Sequence, residues 1–309
     1  MRLVTYRIAS EPHIGVLSDE LIVDVGRALA RAGQSALPAS MRELLTLGNS
    51  ALAEIGSAVG EALKSVSSAT PEYGLFVPVR EAILDTPVSD PSKIICVGRN
   101  YADHVKEVGA SRPDRAVFFT RFPQTLVCPG GPVWLPKASD ELDWEGELAV
   151  VIGKQGRHVA AKDAYSIIAG YSILNDVSVR DFQLRTPQYT SGKNFDATAP
   201  FGPSIVTVDE IPDPHALTIE TLVNGERMQY ARTSEMLFSI PELIADITEW
   251  TTLRPGDVIA TGTPEGVGGQ RKPPRFLVVG DTVTVRISGI GELSNPVIAE
   301  PDSPSMNGI

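Results

Sequence analysis

Apolar positions fall into two rhythms along this chain. In Leu3–Ile8, His13–Leu17 and Leu21–Val25 they form short runs that predict strands, with Ser18-Asp19-Glu20 as a polar turn between the last two. Over Met41–Val66 the spacing becomes helical, placing Leu44, Leu45, Leu52 and Ile55 on one face, with Gly48 and Gly56 as weak points. A loop rich in Ser, Thr and Pro follows at Ser65–Pro71, and a Pro-bearing segment, Asp85–Lys93, leads into the remainder. These patterns predict a small α/β domain over residues 1–90 and a second domain over 91–309.

Strand patterns dominate the second part: Lys93–Val97, Glu147–Ile152, Gly170–Leu174, Ser204–Thr207, Leu217–Val223, Asp257–Ala260 and Thr282–Ile287. One helix stands out at Ser239–Thr251. Ser239 is its candidate N-cap, Pro241 lies in its first turn, and Leu243, Ile244, Ile247 and Trp250 form an apolar stripe. A shorter helix is expected to begin near Val177. The fold class is mixed α/β and β-rich.

Composition narrows the function. The chain has 309 residues, 42% hydrophobic and 21% charged, ordinary for a globular core. No apolar run approaches the roughly 20 residues a membrane span needs. The N-terminal stretch, with Arg2 and Arg7 among its apolar positions, has no secretory signal pattern. A net charge of −11 argues against a nucleic-acid partner. Cys96 and Cys128, the only cysteines, have no metal-binding or redox spacing; they are expected to be buried free thiols in a cytoplasmic protein.

The candidate chemistry begins with carboxylates. Glu145 and Glu147 lie two apart at the start of a strand, so both point to one face, where their repulsion asks for a cation or solvent. Asp176 ends another apolar strand and could supply a third ligand, or could cap the helix expected after it. An all-oxygen set with no nearby His or Cys cluster suits Mg²⁺ or Mn²⁺, with Ca²⁺ as an option, over zinc. His104 and Glu107 are three apart, so one helical turn pairs imidazole with carboxylate as a base; the same spacing is also common on plain surfaces. Arg180, Gln183 and Lys193 could bind an anionic substrate. The Gly-rich stretch after Thr263 lacks the Lys-Ser/Thr of a P-loop, and neither GxGxxG after the first strand nor GxSxG is present.

Taken together, IICVGRNYADHVKE (94–107), WEGELAVVIG (144–153), GYSILNDVSVRDFQ (170–183), SGKNF (191–195), IPDPHALTIETLVNGE (211–226) and PGDVIATGTPEGVG (255–268) resemble the fumarylacetoacetate hydrolase family, in its order, over about residues 92–298. The similarity is to its bacterial branch of acylpyruvate hydrolases and 2-hydroxyhepta-2,4-diene-1,7-dioate isomerases. It implies a mixed β-roll or β-sandwich catalytic domain, a variable N-terminal module and a homodimer. It assigns Glu145, Glu147 and Asp176 to the divalent metal, and His104 with Glu107 to water activation on a mobile lid. Lys193 falls on the lysine that supports an oxyanion, and Arg180, Gln183, Thr263 and Tyr101 on substrate contacts. Two departures are Gly146, where many relatives carry a larger residue, and Arg271–Phe276, which looks like an insertion bearing on substrate size and lid shape.

The expected reaction is metal-dependent hydrolysis of a C–C bond in an acylpyruvate, a small anionic 2-oxo acid, giving pyruvate and a carboxylate. The alternative is an isomerase or decarboxylase of an unsaturated oxo-dicarboxylate from aromatic-compound degradation, which needs no attacking water. A rival of another class is a non-catalytic module in which the three carboxylates hold a structural ion.

Overall fold

A computed structural model describes residues 1–8, 11–34, 38–64 and 74–302; the Ser65–Pro71 loop expected from sequence lies outside them. Its main feature is a twelve-stranded sheet. From one edge the path runs Phe76–Pro78, Leu21–Asp24, Glu11–Ser18, Arg2–Ile8, Ala199–Thr207 and Ile168–Asn175. It continues through Gly146–Ile152, Val258–Ala260, Ile94–Gly98 and Val117–Arg121. Arg2 pairs with Val206 and Leu3 with Ile205, so the sheet runs unbroken from the first residues into the later part of the chain. A second sheet of five strands orders Glu226–Arg232, Thr218–Val223, Thr282–Ile287, Gly291–Ala299 and Val133–Leu135.

The strand Gly146–Ile152 shows how the alternation works. It is hydrogen-bonded on both sides, to Ile168–Asn175 and Val258–Ala260, and buried on both faces. Ala149 and Val151 join a core layer with Val23, Leu44 and Leu45, whereas Leu148, Val150 and Ile152 join Ile244, Ile247, Val285 and Leu293. Burying one such side chain contributes about 1.5–3 kcal/mol, so this strand is a major source of stability. Gly146 has a steric reason here. A Cβ on it would lie 2.3 Å from Thr221 Oγ1 and 3.0 Å from Val285, so only glycine lets the second sheet pack this close.

The helix Ile240–Trp250 matches expectation at its start. Glu242 Oε2 accepts from the Ser239 backbone N–H at 2.7 Å and from its hydroxyl at 2.6 Å. Leu243, Ile244 and Ile247 are buried, but Trp250 is 51% exposed and leaves the predicted stripe, its ring resting 5.9 Å from Phe118. Three other expectations need correction. The helical run from Met41 is two helices, Met41–Thr46 and Gly48–Lys64, because Gly48 takes φ +76° and turns the chain. No helix begins at Val177: Ser178–Val179 pairs with Leu142–Asp143, and the helix starts only at Arg180, so strand pairing overrides the capping pattern. Cys96 is buried as expected, but Cys128 is only partly so; both are free. Among the described residues no helix is long and apolar enough to cross a membrane.

Candidate metal centre and active site

Three strand ends converge on one point. Glu145 precedes the strand Gly146–Ile152, Glu147 lies within it, and Asp176 follows the neighbouring strand Ile168–Asn175. The register Gly146↔Asn175 brings the two ends side by side, and the Asp176 N–H donates to the Glu145 carbonyl at 2.8 Å. All three carboxylates are buried, with an oxygen of each within 4.8 Å of the others. Burial, followed by the charges of Asp176 and Glu145, pushes the Glu147 carboxyl well above its ordinary range. Burial also acts upward on Glu145, but Lys193 and then Arg180 outweigh it and hold that carboxyl far below normal.

Cations surround the cluster. Lys193 Nζ donates to Glu145 Oε2 at 2.7 Å and to Asp176 Oδ2 at 2.5 Å, and burial leaves it 1% exposed. Arg180 Nη1 donates to Glu145 Oε1 at 2.6 Å and to Gln183 Oε1 at 2.8 Å. Arg180 therefore reaches Glu145. Arg121, at the end of Val117–Arg121, donates to Asp176 Oδ1 and to the Val177 carbonyl. Sequence reasoning missed it: an arginine closing a half-apolar strand carries no local signal of its partner.

Asp143 was missed too, although it stands in the same short run as the two glutamates. It is fully buried, accepts Arg180 Nε at 2.7 Å, and accepts the backbone N–H groups of Gly268 and Gly269 at 2.7 and 2.9 Å. It thus fixes Arg180 and anchors the Gly-rich loop together. In the Arg271–Phe276 segment, Arg271 donates to the Met228 carbonyl and Arg275 to Glu226, while the Arg275 N–H donates to the Gly268 carbonyl at 3.0 Å.

The helix Ala102–Glu107 carries the expected pair. His104 Nδ1 faces Glu107 Oε2 at 3.0 Å, and Glu107 Oε1 accepts the Gly266 N–H at 2.9 Å. An ionised carboxylate only accepts, so in the neutral ring the proton sits on Nδ1 and Nε2 is the free nitrogen. Thr263 donates to the Gly146 carbonyl at 2.9 Å, and the neighbouring Gly262 N–H donates to Glu147 Oε2 at 2.7 Å.

One cavity of about 390 Å³ is lined by His104, Glu145, Glu147, Arg180, Gln183, Lys193 and Thr263; Glu107 and Asp176 support it from behind that lining. Arg99, Tyr189 and Gln270 line it as well. Tyr101 is 1% exposed, is not among its lining residues, and its hydroxyl has no hydrogen-bond partner. Arg99 takes φ +59°, a left-handed conformation that costs a side chain about 1 kcal/mol or more. The donor set fits a hard divalent cation such as Mg²⁺ or Mn²⁺: three buried carboxylates, oxygen only, with one oxygen of each within 4.8 Å of the others.

The relatives agree with this architecture. The Fumarylacetoacetate (FAA) hydrolase C-terminal model matches residues 93–298. The chain is 40% identical to the mitochondrial oxaloacetate tautomerase Fahd2a of Rattus norvegicus, covering 96% of this chain and 92% of the relative. It is also 40% identical to oxaloacetate tautomerase YisK of Bacillus subtilis, covering 96% and 100%. The solved structure of a fumarylacetoacetate hydrolase from Exiguobacterium antarcticum superposes with a TM-score of 0.80 at 35% identity, covering 97% of this chain and 100% of that one. The mixed, β-rich fold read from the sequence is thereby shown. The cytoplasmic placement is overturned by the mitochondrial relative; two free cysteines carry no address. With its match spanning the strands that carry every carboxylate of the cluster, the chain belongs to the fumarylacetoacetate hydrolase family.

Proposed function

We propose that this chain is a divalent-cation-dependent tautomerase or isomerase acting on 2-oxo dicarboxylic acids of the oxaloacetate class. The observation that carries the reading is that His104, held by Glu107 through Nδ1, lines the same cavity as Glu145, Glu147 and Lys193. The names of the rat and Bacillus relatives favour this over the C–C hydrolysis expected from the sequence.

Glu145, Glu147 and Asp176 would hold the metal, which when bound polarises the oxygens of the 2-oxo acid as a Lewis acid. Arg180 holds the substrate carboxylate through Nη2, a buried donor with no partner of its own. Lys193 Nζ donates to the oxygen on which charge gathers as the carbonyl becomes an enol. His104 Nε2 takes the proton from the carbon beside the carbonyl and delivers it to the resulting enolate oxygen, and the reverse transfer restores the keto form. Glu107 keeps the ring oriented throughout.

The test is the ultraviolet absorbance of enolic oxaloacetate mixed with Mg²⁺ and purified protein. Its decay should be faster than with Mg²⁺ alone, and His104→Asn should lower kcat by about 10²–10⁴-fold while leaving the Mg²⁺-induced rise in Tm intact. No acceleration by the wild type would sink the proposal. A second reading, hydrolysis of an acylpyruvate, draws on the same pair, which can also activate water, and on the Exiguobacterium structure. Release of pyruvate from acylpyruvates, with no effect on oxaloacetate, would select it.

A further inference from the structure

We infer that Arg99 binds the second carboxylate of the substrate and so sets a preference for dicarboxylates over monocarboxylates; this rests on the cavity being a 2-oxo-acid site. Among the cations lining the cavity, Lys193 and Arg180 are ion-paired to the carboxylate cluster, and the Nη2 that Arg180 keeps free is taken by the substrate's first carboxylate. Arg99 differs. Among the described residues it makes no ion pair, its Nε is buried without any hydrogen-bond partner, and Nη2 reaches only the Tyr189 hydroxyl, at 3.4 Å. A buried guanidinium donor with no acceptor is a costly feature unless a ligand supplies one.

The surroundings fix the group in place. Tyr189 packs edge-on against Phe119, ring centroids 5.5 Å apart, and its ring lies against Gly98. The backbone of Arg99 itself is left-handed at φ +59°, which directs its side chain from the strand end Gly98 into the cavity lining. Phe119 and Val108 supply apolar lining in the same cavity. A planar, permanently charged fork suits a carboxylate better than an ammonium would. A ligand whose 2-oxo acid end engages the cluster and Arg180 then has one cation left for a second anionic group.

L-malate and L-lactate are stable probes that differ by that second carboxylate alone. With Mg²⁺ present, isothermal titration calorimetry of the wild type should show malate bound at least about tenfold more tightly than lactate. Arg99→Gly suits a left-handed backbone and removes the fork; it should abolish the difference by weakening malate and leaving lactate unchanged. Arg99→Gln, which keeps the length, should behave alike. A wild type that binds malate no better than lactate, or not at all, overturns the inference, as does an Arg99→Gly variant that keeps the wild-type ratio. Failure of the proposed reaction reads differently: malate preference through Arg99 together with no acceleration of oxaloacetate enolisation.

Discussion

The two ends of the strand Gly146–Ile152 are buried to the same degree and could hardly differ more in chemistry. From Leu148 to Ile152 every side chain is apolar and 0% exposed. At the other end Glu145 and Glu147 are 6% and 1% exposed and meet Asp176 at 0%. The apolar end needs nothing beyond its neighbours' shapes. The charged end depends on specific cations brought from three separate segments: Arg121, Arg180 and Lys193. Equal burial therefore hides unequal dependence: one end is stable through area, the other through charge balance, and only the second is configured for catalysis.

That contrast can be broken most severely at Arg121. Its replacement by Met leaves buried Asp176 with Lys193 as its remaining cation and strips the Val177 carbonyl of its donor, and urea unfolding of the metal-free protein should show a loss of about 3–5 kcal/mol. A loss below 1 kcal/mol would mean that the charged end does not rely on this cation. Next in size is the metal itself. Mg²⁺ at a hundred times its Kd should stabilise the folded chain by about 2.7 kcal/mol, read as a rise in Tm that a chelator reverses. Glu147→Gln should remove most of that rise; an undiminished response would place the ion elsewhere. The smallest effect belongs to the apolar end. Ile152→Val should cost about 0.5–1.5 kcal/mol and leave the Mg²⁺ response untouched, which differential scanning calorimetry with and without metal would check.

The sequence revealed the site's ligands more readily than their supports. Glu145 and Glu147 were legible because a two-residue period on a strand dictates a shared face, and Ser239 with Glu242 because a helix start has a local grammar. Arg121 and Asp143 were not, since each acquires its role from a partner on another segment: Arg121 lies 55 positions from Asp176, and Asp143 lies 125 from Gly268. The helix expected at Val177 failed for a related reason. Asp176 has the right residue type for a cap, but Ser178 and Val179 find strand partners in Asp143 and Leu142. Arg99 belongs to the same group, its left-handed backbone being invisible in a residue that rarely adopts it.

Asp143 holds the loop after Val267 by two main-chain amides rather than by side chains. Such an anchor is blind to residue identity over much of the loop. The exposed side chain of Lys272 can be exchanged in a library without loosening Arg180, whereas Gly268 cannot, because a Cβ there would lie 2.0 Å from the Arg275 carbonyl oxygen. The rim of the cavity is thus open to redesign from one side, with Gln270 as the nearest position that touches its interior.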